Sequence, residues 1–172
     1  MSIRRLNHIV ICVSDIEVST RFYRDILGLE LVSTLPEQNN WKEMRFFCAK
    51  GKSTNHHDLA IIANATLPSP DWGQPISPGL FHVAFEVGTI AELEKYAVTL
   101  KDANSFIDQL YQPMHLSVYG KDPDGIAIEI IWRIPNDCWT YSDLWRAPLN
   151  FEEAIARWGA TLKTGAAAGE ST

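Results

Sequence analysis

The chain has 172 residues, enough for one well-buried domain but too few for two of ordinary size, and its 46% hydrophobic and 21% charged residues are typical of a globular protein. Its net charge of −6, without a cluster of Lys or Arg, argues against a nucleic-acid partner. No apolar run is long enough to cross a bilayer and the first residues do not resemble a secretion signal, so we expect no membrane partner and a cytoplasmic location.

The first 64 residues are predicted to form a βαβββ module. The strand-like run LNHIVICV leads into a helix that Ser14 and Glu17 mark with a capping box, in which the hydroxyl covers a free backbone N–H and the Glu reaches back. Apolar residues then recur at helical spacing until Gly28 breaks the pattern. The runs LELVSTL, EMRFFCA and DLAIIA follow as three further strands.

The second module, residues 80–133, repeats the order of the first. At an offset of 74 residues LFHVAFEV aligns with LNHIVICV, which places His82 over His8. Thr89 opens a helix with the same capping signal, and one strand is expected between Lys101 and Tyr111. The runs MHLSVYG and IAIEIIW are predicted to be the last two strands of the module.

The Pro-rich segment 65–79 connects the modules, so the sequence predicts an α+β fold in which two tandem βαβββ modules form one domain over residues 1–133. Residues 134–172 are predicted to be an extension with one helix, NFEEAIARWGATL, and a disordered end after Thr164. This helix either packs on its own chain or a dimer partner, or forms a lid over an aromatic substrate. The tryptophans that need burial there are Trp139, Trp145 and Trp158.

His8, His82 and Glu129 are the candidate metal ligands. A lone histidine in an apolar strand is more often a core residue than a ligand, but two at equivalent positions of a repeat would approach one pseudo-twofold axis. Glu129 lies in the apolar run IAIEIIW, where a buried carboxylate is costly unless a metal cation or an arginine pairs with it. Two imidazoles and one carboxylate are the ligand set of non-haem iron(II) oxygenases, so we expect Fe(II), with Mn(II) as the alternative.

The doubled βαβββ pattern, the first-strand histidine in each half and the run DPDGIAIE resemble the vicinal-oxygen-chelate superfamily over residues 4–133. That superfamily includes glyoxalase I, extradiol catechol dioxygenases, methylmalonyl-CoA epimerase, and fosfomycin- and bleomycin-resistance proteins. The resemblance implies curved half-barrel units, a metal in their cleft, and a homodimer. It does not by itself give a reaction, because this fold hosts several chemistries and also non-enzymatic binders.

The run HHDLAII is similar to a segment of extradiol dioxygenases that carries the acid–base histidine, and this resemblance gives that role to His57. Strand alternation groups His57 with Leu59 and Ile61. Asp58 then points away from the cleft, which leaves the acidic ligand of glyoxalase-type members without a counterpart. The pattern alone fits a polar strand entry at His56 and His57 equally well.

Tyr119 lies ten residues before Glu129, the spacing at which extradiol dioxygenases place a tyrosine that hydrogen-bonds the substrate oxygen. His115 shares the strand face of Tyr119 and is a further candidate catalytic residue, although its distance from the tyrosine differs from that in the family. The alternative for His115 is an edge-strand surface residue. Cys12 lies on the strand face of His8 and is predicted to be a small buried core residue.

Together, these resemblances imply a ring-cleaving extradiol dioxygenase that acts on a small aromatic diol with Fe(II) and O2. Two alternatives from other classes remain. One is a glyoxalase-type metal-dependent isomerase, epimerase or lyase, and the other is a non-catalytic small-molecule-binding protein of the resistance type.

Overall fold

The computed structural model describes residues 4–38, 42–63, 79–139 and 146–166. The chain divides into two compact units, Met1–Trp72 and Gly73–Thr172. The predicted linker 65–79 lies outside the described residues except for Gly79. Within the described ranges, none of the helices has the length and apolar character that crossing a bilayer requires.

The described part of the first unit has the predicted βαβββ order. Its sheet runs β1-β4-β3-β2, with β1 parallel to β4 and the other neighbours antiparallel. The elements are β1 (Ile9–Val13), α1 (Ile16–Arg21) with a π-helical continuation (Phe22–Ile26), β2 (Glu30–Leu35), β3 (Met44–Cys48) and β4 (Leu59–Ala63).

Asp15, and not Ser14, caps the first helix. The Asp15 carboxylate accepts hydrogen bonds from the backbone N–H groups of Glu17 and Val18. The capping box predicted from Ser14 and Glu17 is therefore wrong by one residue. Both Ser and Asp are good caps, and only the observed start of the helix at Ile16 distinguishes them.

Only one face of the first sheet is covered by its helix. Ile11 and Ile61 are buried on that face, where Arg45, the cross-strand partner of Ile61, hydrogen-bonds a side chain of α1. On the alternate positions of β1, Val10 is 46% exposed and Cys12 is also exposed. The prediction that Cys12 is a buried core residue is therefore wrong, because its side of the strand is the one that the helix leaves open.

The second unit repeats this order and adds an edge strand. Its sheet runs β5-β8-β7-β6-β9, and Thr89 caps α2 as predicted. The strand expected between Lys101 and Tyr111 is present as β6, whereas the short β9 is not predicted by the sequence. The elements are β5 (His82–Glu86), α2 (Ile90–Asp102), β6 (Phe106–Tyr111), β7 (His115–Lys121), β8 (Ala127–Arg133), β9 (Ala147–Pro148) and α3 (Phe151–Trp158).

The C-terminal helix α3 packs on its own unit. It begins at the predicted cap Asn150 and lies against α2. The Trp158 indole donates a hydrogen bond to the Tyr111 hydroxyl at 3.1 Å, and its ring is 6.2 Å from that of Trp132. Because Trp132 and Glu129 are three positions apart on β8, they occupy opposite faces of the sheet. The described helix therefore supports the packing interpretation and not the lid.

Ordered chain continues past Thr164. The Thr164 hydroxyl donates to the Glu86 carboxylate at 2.8 Å and accepts from the Arg133 backbone N–H at 3.0 Å. The Gly165 N–H donates to the Arg133 carbonyl at 3.1 Å. The predicted disorder is therefore wrong for Gly165 and Ala166, and the rest of that prediction, residues 167–172, lies outside the described ranges.

Candidate active site

Glu129 has a buried carboxylate, only 5% exposed. It lies on β8 directly opposite Tyr119 of β7, so the two side chains share a sheet face. The Tyr119 hydroxyl donates to Glu129 Oε1 at 2.6 Å, and the buried Ser117 hydroxyl donates to the same oxygen at 2.7 Å. Two hydroxyl hydrogens are therefore directed at one of the two carboxylate oxygens.

These contacts keep the Glu129 carboxylate ionised. Burial alone would raise its pKa, but hydrogen bonds from His115, Tyr119 and Ser117 outweigh burial and hold the pKa at about 2. For Tyr119, burial and the adjacent carboxylate raise the pKa, so that hydroxyl stays protonated and remains a donor. The site therefore contains a fixed negative charge at neutral pH.

His82 contacts the other oxygen of this carboxylate. Its Nε2 is 3.1 Å from Glu129 Oε2. Since an ionised carboxylate only accepts, the hydrogen in this contact resides on Nε2. The His82 Nδ1 is buried and has no hydrogen-bond partner among the described residues.

His115 and Gln112 complete the polar cluster on this face. His115 is half-buried, with its Nε2 3.3 Å from Glu129 Oε1, so the interpretation as an edge-strand surface residue is not supported. Gln112, in the turn between β6 and β7, places its Nε2 3.0 Å from His115 Nε2, 3.0 Å from Ser117 Oγ and 3.1 Å from Tyr119 Oη.

In the first unit, the exposed His8 immediately precedes β1. Its Nδ1 is 2.9 Å from Asn7 Oδ1, while the Asn7 amide nitrogen donates to the Asn55 side chain at 3.1 Å. Because the amide nitrogen faces Asn55, the oxygen faces His8 and accepts the Nδ1 hydrogen. The Nε2 of a neutral His8 therefore carries the lone pair and is available as a metal ligand.

His57 lies beside His8. Their ring centroids are 4.4 Å apart, and the Phe46 ring is 4.9 Å from His57. Burial, reinforced by the charges of His8 and His56, lowers the pKa of His57.

The predicted grouping of His57 with Leu59 and Ile61 is wrong. Leu59 and Ile61 lie on the face that α1 covers, whereas the Phe46 ring beside His57 lies on the opposite face, where Phe46 pairs with Ala60. The regular strand begins only at Leu59, so alternation does not extend back to His57.

Asp58 has a structural role. Its carboxylate accepts from the Ala49 backbone N–H at 2.9 Å and from the Ser53 hydroxyl at 2.5 Å. It also accepts from the Asn55 side chain at 2.9 Å. These bonds fix the loop that precedes β4.

The donor chemistry of the described residues fits a divalent metal, although no three His, Cys, Asp or Glu side chains within the described ranges are already grouped as a metal site. Two ligand atoms at adjacent positions around one cation, each about 2.1 Å from it, are about 3 Å apart. The contact of 3.1 Å between His82 Nε2 and Glu129 Oε2 matches that spacing. The second unit thus offers two donor atoms at a suitable distance, provided that Nδ1 of His82, which has no partner among the described residues, carries the ring hydrogen in place of Nε2. The first unit offers the free nitrogen of His8.

Three residues around these candidates are not predicted from the sequence. Ser117 lies on the face of Tyr119, so strand alternation could have identified it as a partner of Glu129. Asn7 and Gln112 lie outside the strands, where no periodic pattern predicts the direction of a side chain.

A family model described as the Glyoxalase/Bleomycin resistance protein/Dioxygenase superfamily matches residues 5–130. An iron-dependent extradiol dioxygenase from Rhodococcus jostii (strain RHA1) is 28% identical over 137 residues, which are 72% of this chain and 41% of that protein. The chain therefore spans less than half the length of this relative.

Another relative has a different activity in its name. A lactoylglutathione lyase from Salmonella typhimurium is 27% identical over 128 residues, which are 74% of this chain and 91% of that protein. The two identities, 28% and 27%, are too similar to favour one reaction over the other.

Solved structures support the fold. A glyoxylase/bleomycin resistance protein/dioxygenase domain from Frankia sp. EAN1pec superposes with a TM-score of 0.64 at 19% identity, covering 78% of this chain and 96% of that one. At this identity the likeness concerns the fold and not the reaction.

Proposed function

Because the chain belongs to the glyoxalase/bleomycin resistance protein/dioxygenase superfamily, we propose that it is a metal-dependent enzyme, and more specifically an extradiol dioxygenase that cleaves a catechol-type diol with O2. The observation that carries the proposal is the state of Glu129. It is a buried, ionised carboxylate with one oxygen held by two hydroxyls and the other facing an imidazole nitrogen at 3.1 Å. Such a carboxylate is costly in a protein interior unless it binds a cation.

His8, His82 and Glu129 would hold the metal, which we propose to be Fe(II), with Mn(II) as the alternative. When bound, Fe(II) would favour deprotonation of the diol and pass electron density from the ring to O2. In the second unit, the chain supplies a prearranged pair of donors. In the first unit, Asn7 keeps the Nε2 lone pair of His8 free by accepting the Nδ1 hydrogen.

His57 would take a proton from a diol hydroxyl and later return one to the opened product, a role that suits an imidazole. Its ring centroid is 4.4 Å from that of His8, so His57 would lie next to a metal ion bound by His8. Phe46 packs against it at 4.9 Å and restricts the orientation of the imidazole.

Tyr119 would orient the substrate oxygen nearest to Glu129 once substrate binding turns the hydroxyl hydrogen from the carboxylate to that oxygen. Its hydroxyl already donates to that carboxylate at 2.6 Å, and its ring is edge-on to His82 at 6.4 Å. His115, on the same strand face, would line the substrate cavity as a second polar contact. We further propose that residues 1–133 act as one domain and that the protein is a cytoplasmic homodimer.

The alternative is an isomerase, epimerase or lyase of the glyoxalase type, which the lactoylglutathione lyase relative at 27% identity favours. Asp58 argues against it. Glyoxalase-type members of the superfamily carry an acidic metal ligand near this position. In this chain the Asp58 carboxylate instead accepts hydrogen bonds from Ala49, Ser53 and Asn55.

Oxygen consumption by protein loaded anaerobically with Fe(II) tests the proposal. A panel of catechols would be added while the visible spectrum is recorded, because ring opening beside the diol gives a conjugated yellow product. We expect oxygen uptake matched to yellow product in the wild type and in the control Glu94→Ala, which alters an exposed carboxylate of α2. Glu129→Ala should abolish both signals.

The other outcomes separate the classes of function. Bound metal without oxygen uptake would contradict the dioxygenase and favour the isomerase class. A protein that binds no metal would contradict both enzyme classes and leave the non-catalytic binder.

A further inference from the structure

Gln112 contacts every polar residue that surrounds Glu129 Oε1. Its side-chain nitrogen is 3.0 Å from Ser117 Oγ, 3.1 Å from Tyr119 Oη and 3.0 Å from His115 Nε2. Its backbone N–H donates to the His115 carbonyl at 3.0 Å, which fixes the turn that carries it. None of these contacts joins Gln112 directly to Glu129.

The available hydrogens determine the direction of these bonds. The hydroxyls of Ser117 and Tyr119 each have one hydrogen, and both hydrogens are directed at Glu129 Oε1. Both hydroxyl oxygens can therefore only accept from Gln112. The side-chain NH2 group of Gln112 has two hydrogens, one for each hydroxyl, so the amide presents its nitrogen and not its oxygen to these two residues. No hydrogen is left for His115 Nε2, which itself donates to Glu129 Oε1, so the 3.0 Å between the two nitrogens is a contact and not a hydrogen bond.

A closed network results, in which Gln112 donates to two hydroxyls and both donate to the same carboxylate oxygen. If the amide were absent, either hydroxyl could rotate its hydrogen towards another acceptor. With the amide in place, hydrogens on Gln112 occupy the acceptor side of both hydroxyls, and chains of such bonds strengthen one another in a buried setting.

We propose that, in the substrate-free protein, Gln112 is a positioning residue that commits Ser117 and Tyr119 to Glu129 Oε1 and so keeps Oε2 as the oxygen that binds metal beside His82. This inference rests on the metal site of the proposed function and extends it to a residue that touches neither metal nor substrate. Outer-shell hydrogen bonds of this kind orient a ligand and tune its affinity for the ion.

The test is the dissociation constant of Mn(II), measured by calorimetric titration into the full-length, metal-free protein. Gln112→Met keeps the length of the side chain but removes both donors, and we expect it to weaken Mn(II) binding about tenfold. The matched control is Gln109→Met, which removes an amide bonded at 2.7 Å to the Leu149 carbonyl in the same unit. It should leave the dissociation constant unchanged.

A double-mutant cycle separates positioning from general damage to the fold. If Gln112 acts through the two hydroxyls, Gln112→Met should change Mn(II) affinity less than about twofold in a Ser117→Ala/Tyr119→Phe background. An equal loss in both backgrounds would overturn the inference, and so would an unchanged affinity in the single variant. Urea unfolding of each variant would verify that it is folded.

Failure of the proposed function gives a different result. If the wild type binds no Mn(II), or if Glu129→Ala binds it as well as the wild type, the metal site is wrong and the positioning role falls with it. The network itself has a metal-free readout, since the NMR signals of the Gln112 side-chain amide should shift in Ser117→Ala. Unshifted signals would overturn the hydrogen-bond network even in a protein that binds metal.

Discussion

His8 and His82 occupy aligned positions of the internal repeat, yet their imidazoles are held differently. The Nδ1 of His8 donates to Asn7 at 2.9 Å, so its Nε2 lone pair is free. The Nε2 of His82 instead faces Glu129 at 3.1 Å, and its Nδ1 has no partner among the described residues. The first unit thus orients its imidazole through a neighbouring side chain, whereas the second unit orients the carboxylate that the imidazole contacts.

The two arrangements also differ in their exposure to water. Asn7 and His8 are exposed, so their hydrogen bond competes with solvent. Ser117 is fully buried and Glu129 is 5% exposed, so a lost partner there cannot be replaced by bulk water. Loss of a supporting residue should therefore have a greater effect on metal binding in the second unit than in the first.

The largest effect that we expect is a loss of turnover when a residue of the first unit is replaced. His57→Ala should lower turnover by about 10²- to 10⁴-fold, because it removes the proposed proton carrier. The affinity for metal should stay near that of the wild type, since His57 is not a proposed ligand. Steady-state oxygen uptake and metal titration would measure the two quantities, with Lys52→Ala, an exposed residue between β3 and β4, as the control. Full turnover in His57→Ala would remove His57 from this role.

Ser117→Ala tests the support of the carboxylate in the second unit. It removes one of the two hydroxyls on Glu129 Oε1, and we expect Mn(II) affinity to fall about 10- to 100-fold. Ser105→Ala is a matched control, because Ser105 is also buried in this unit but its hydroxyl donates to the Lys121 carbonyl. Calorimetric titration would compare them. Equal affinities for the two variants would contradict the support assigned to Ser117.

Asn7→Ala probes the corresponding support in the first unit. The variant removes the acceptor of the His8 Nδ1 hydrogen, but water can replace an exposed partner, so the loss of Mn(II) affinity should be smaller than about tenfold. The same titration measures it. A loss as large as that in Ser117→Ala would break the contrast between the two units.

The smallest effect that we expect comes from replacing Asp58, and it concerns the stability of the fold at acidic pH. Burial raises its pKa, but the hydrogen bonds from Ser53, Ala49 and Asn55 together lower it below the usual value. The unfolded chain, with an Asp pKa of about 3.9, therefore binds the proton more readily. The stabilisation is complete above that pH and is lost as the pH falls through the folded pKa.

Asp58→Asn should remove this pH dependence and cost about 1 kcal/mol near neutral pH. Urea unfolding between pH 3 and pH 7 would measure both. An unchanged slope of stability against pH on the acid side would show that Asp58 does not contribute in this way.

The repeat in the sequence predicts the order of helix and strands along the chain in both units, because side-chain alternation and helix caps are local features. The shared face of Tyr119 and Glu129 is not predicted by the repeat and follows from the register between β7 and β8. Two errors occur where regular structure ends: Asp15 instead of Ser14 caps the first helix, and strand alternation does not extend to His57. The error at Cys12, inside β1, has another cause, because its burial depends on which sheet face a helix covers.

The hydrogen-bond partners of the candidate ligands cannot be predicted from local sequence patterns. Asn7 and Gln112 act from positions outside the strands, and their roles follow only from the direction of individual amide atoms. The edge strand β9 pairs with β6 across a long sequence separation, so no local signal predicts it.

The most direct test of the central claim is calorimetric titration of Mn(II) into the full-length, metal-free protein and its ligand variants. The account predicts one tightly bound ion per chain in the wild type and a loss of affinity of more than about a hundredfold in His8→Ala, His82→Ala and Glu129→Gln. The two alanine variants each remove a proposed ligand nitrogen, and Glu129→Gln removes the negative charge of the proposed carboxylate ligand. Wild-type affinity in any of the three would contradict that residue as a ligand, and wild-type affinity in Glu129→Gln would contradict the site as a whole.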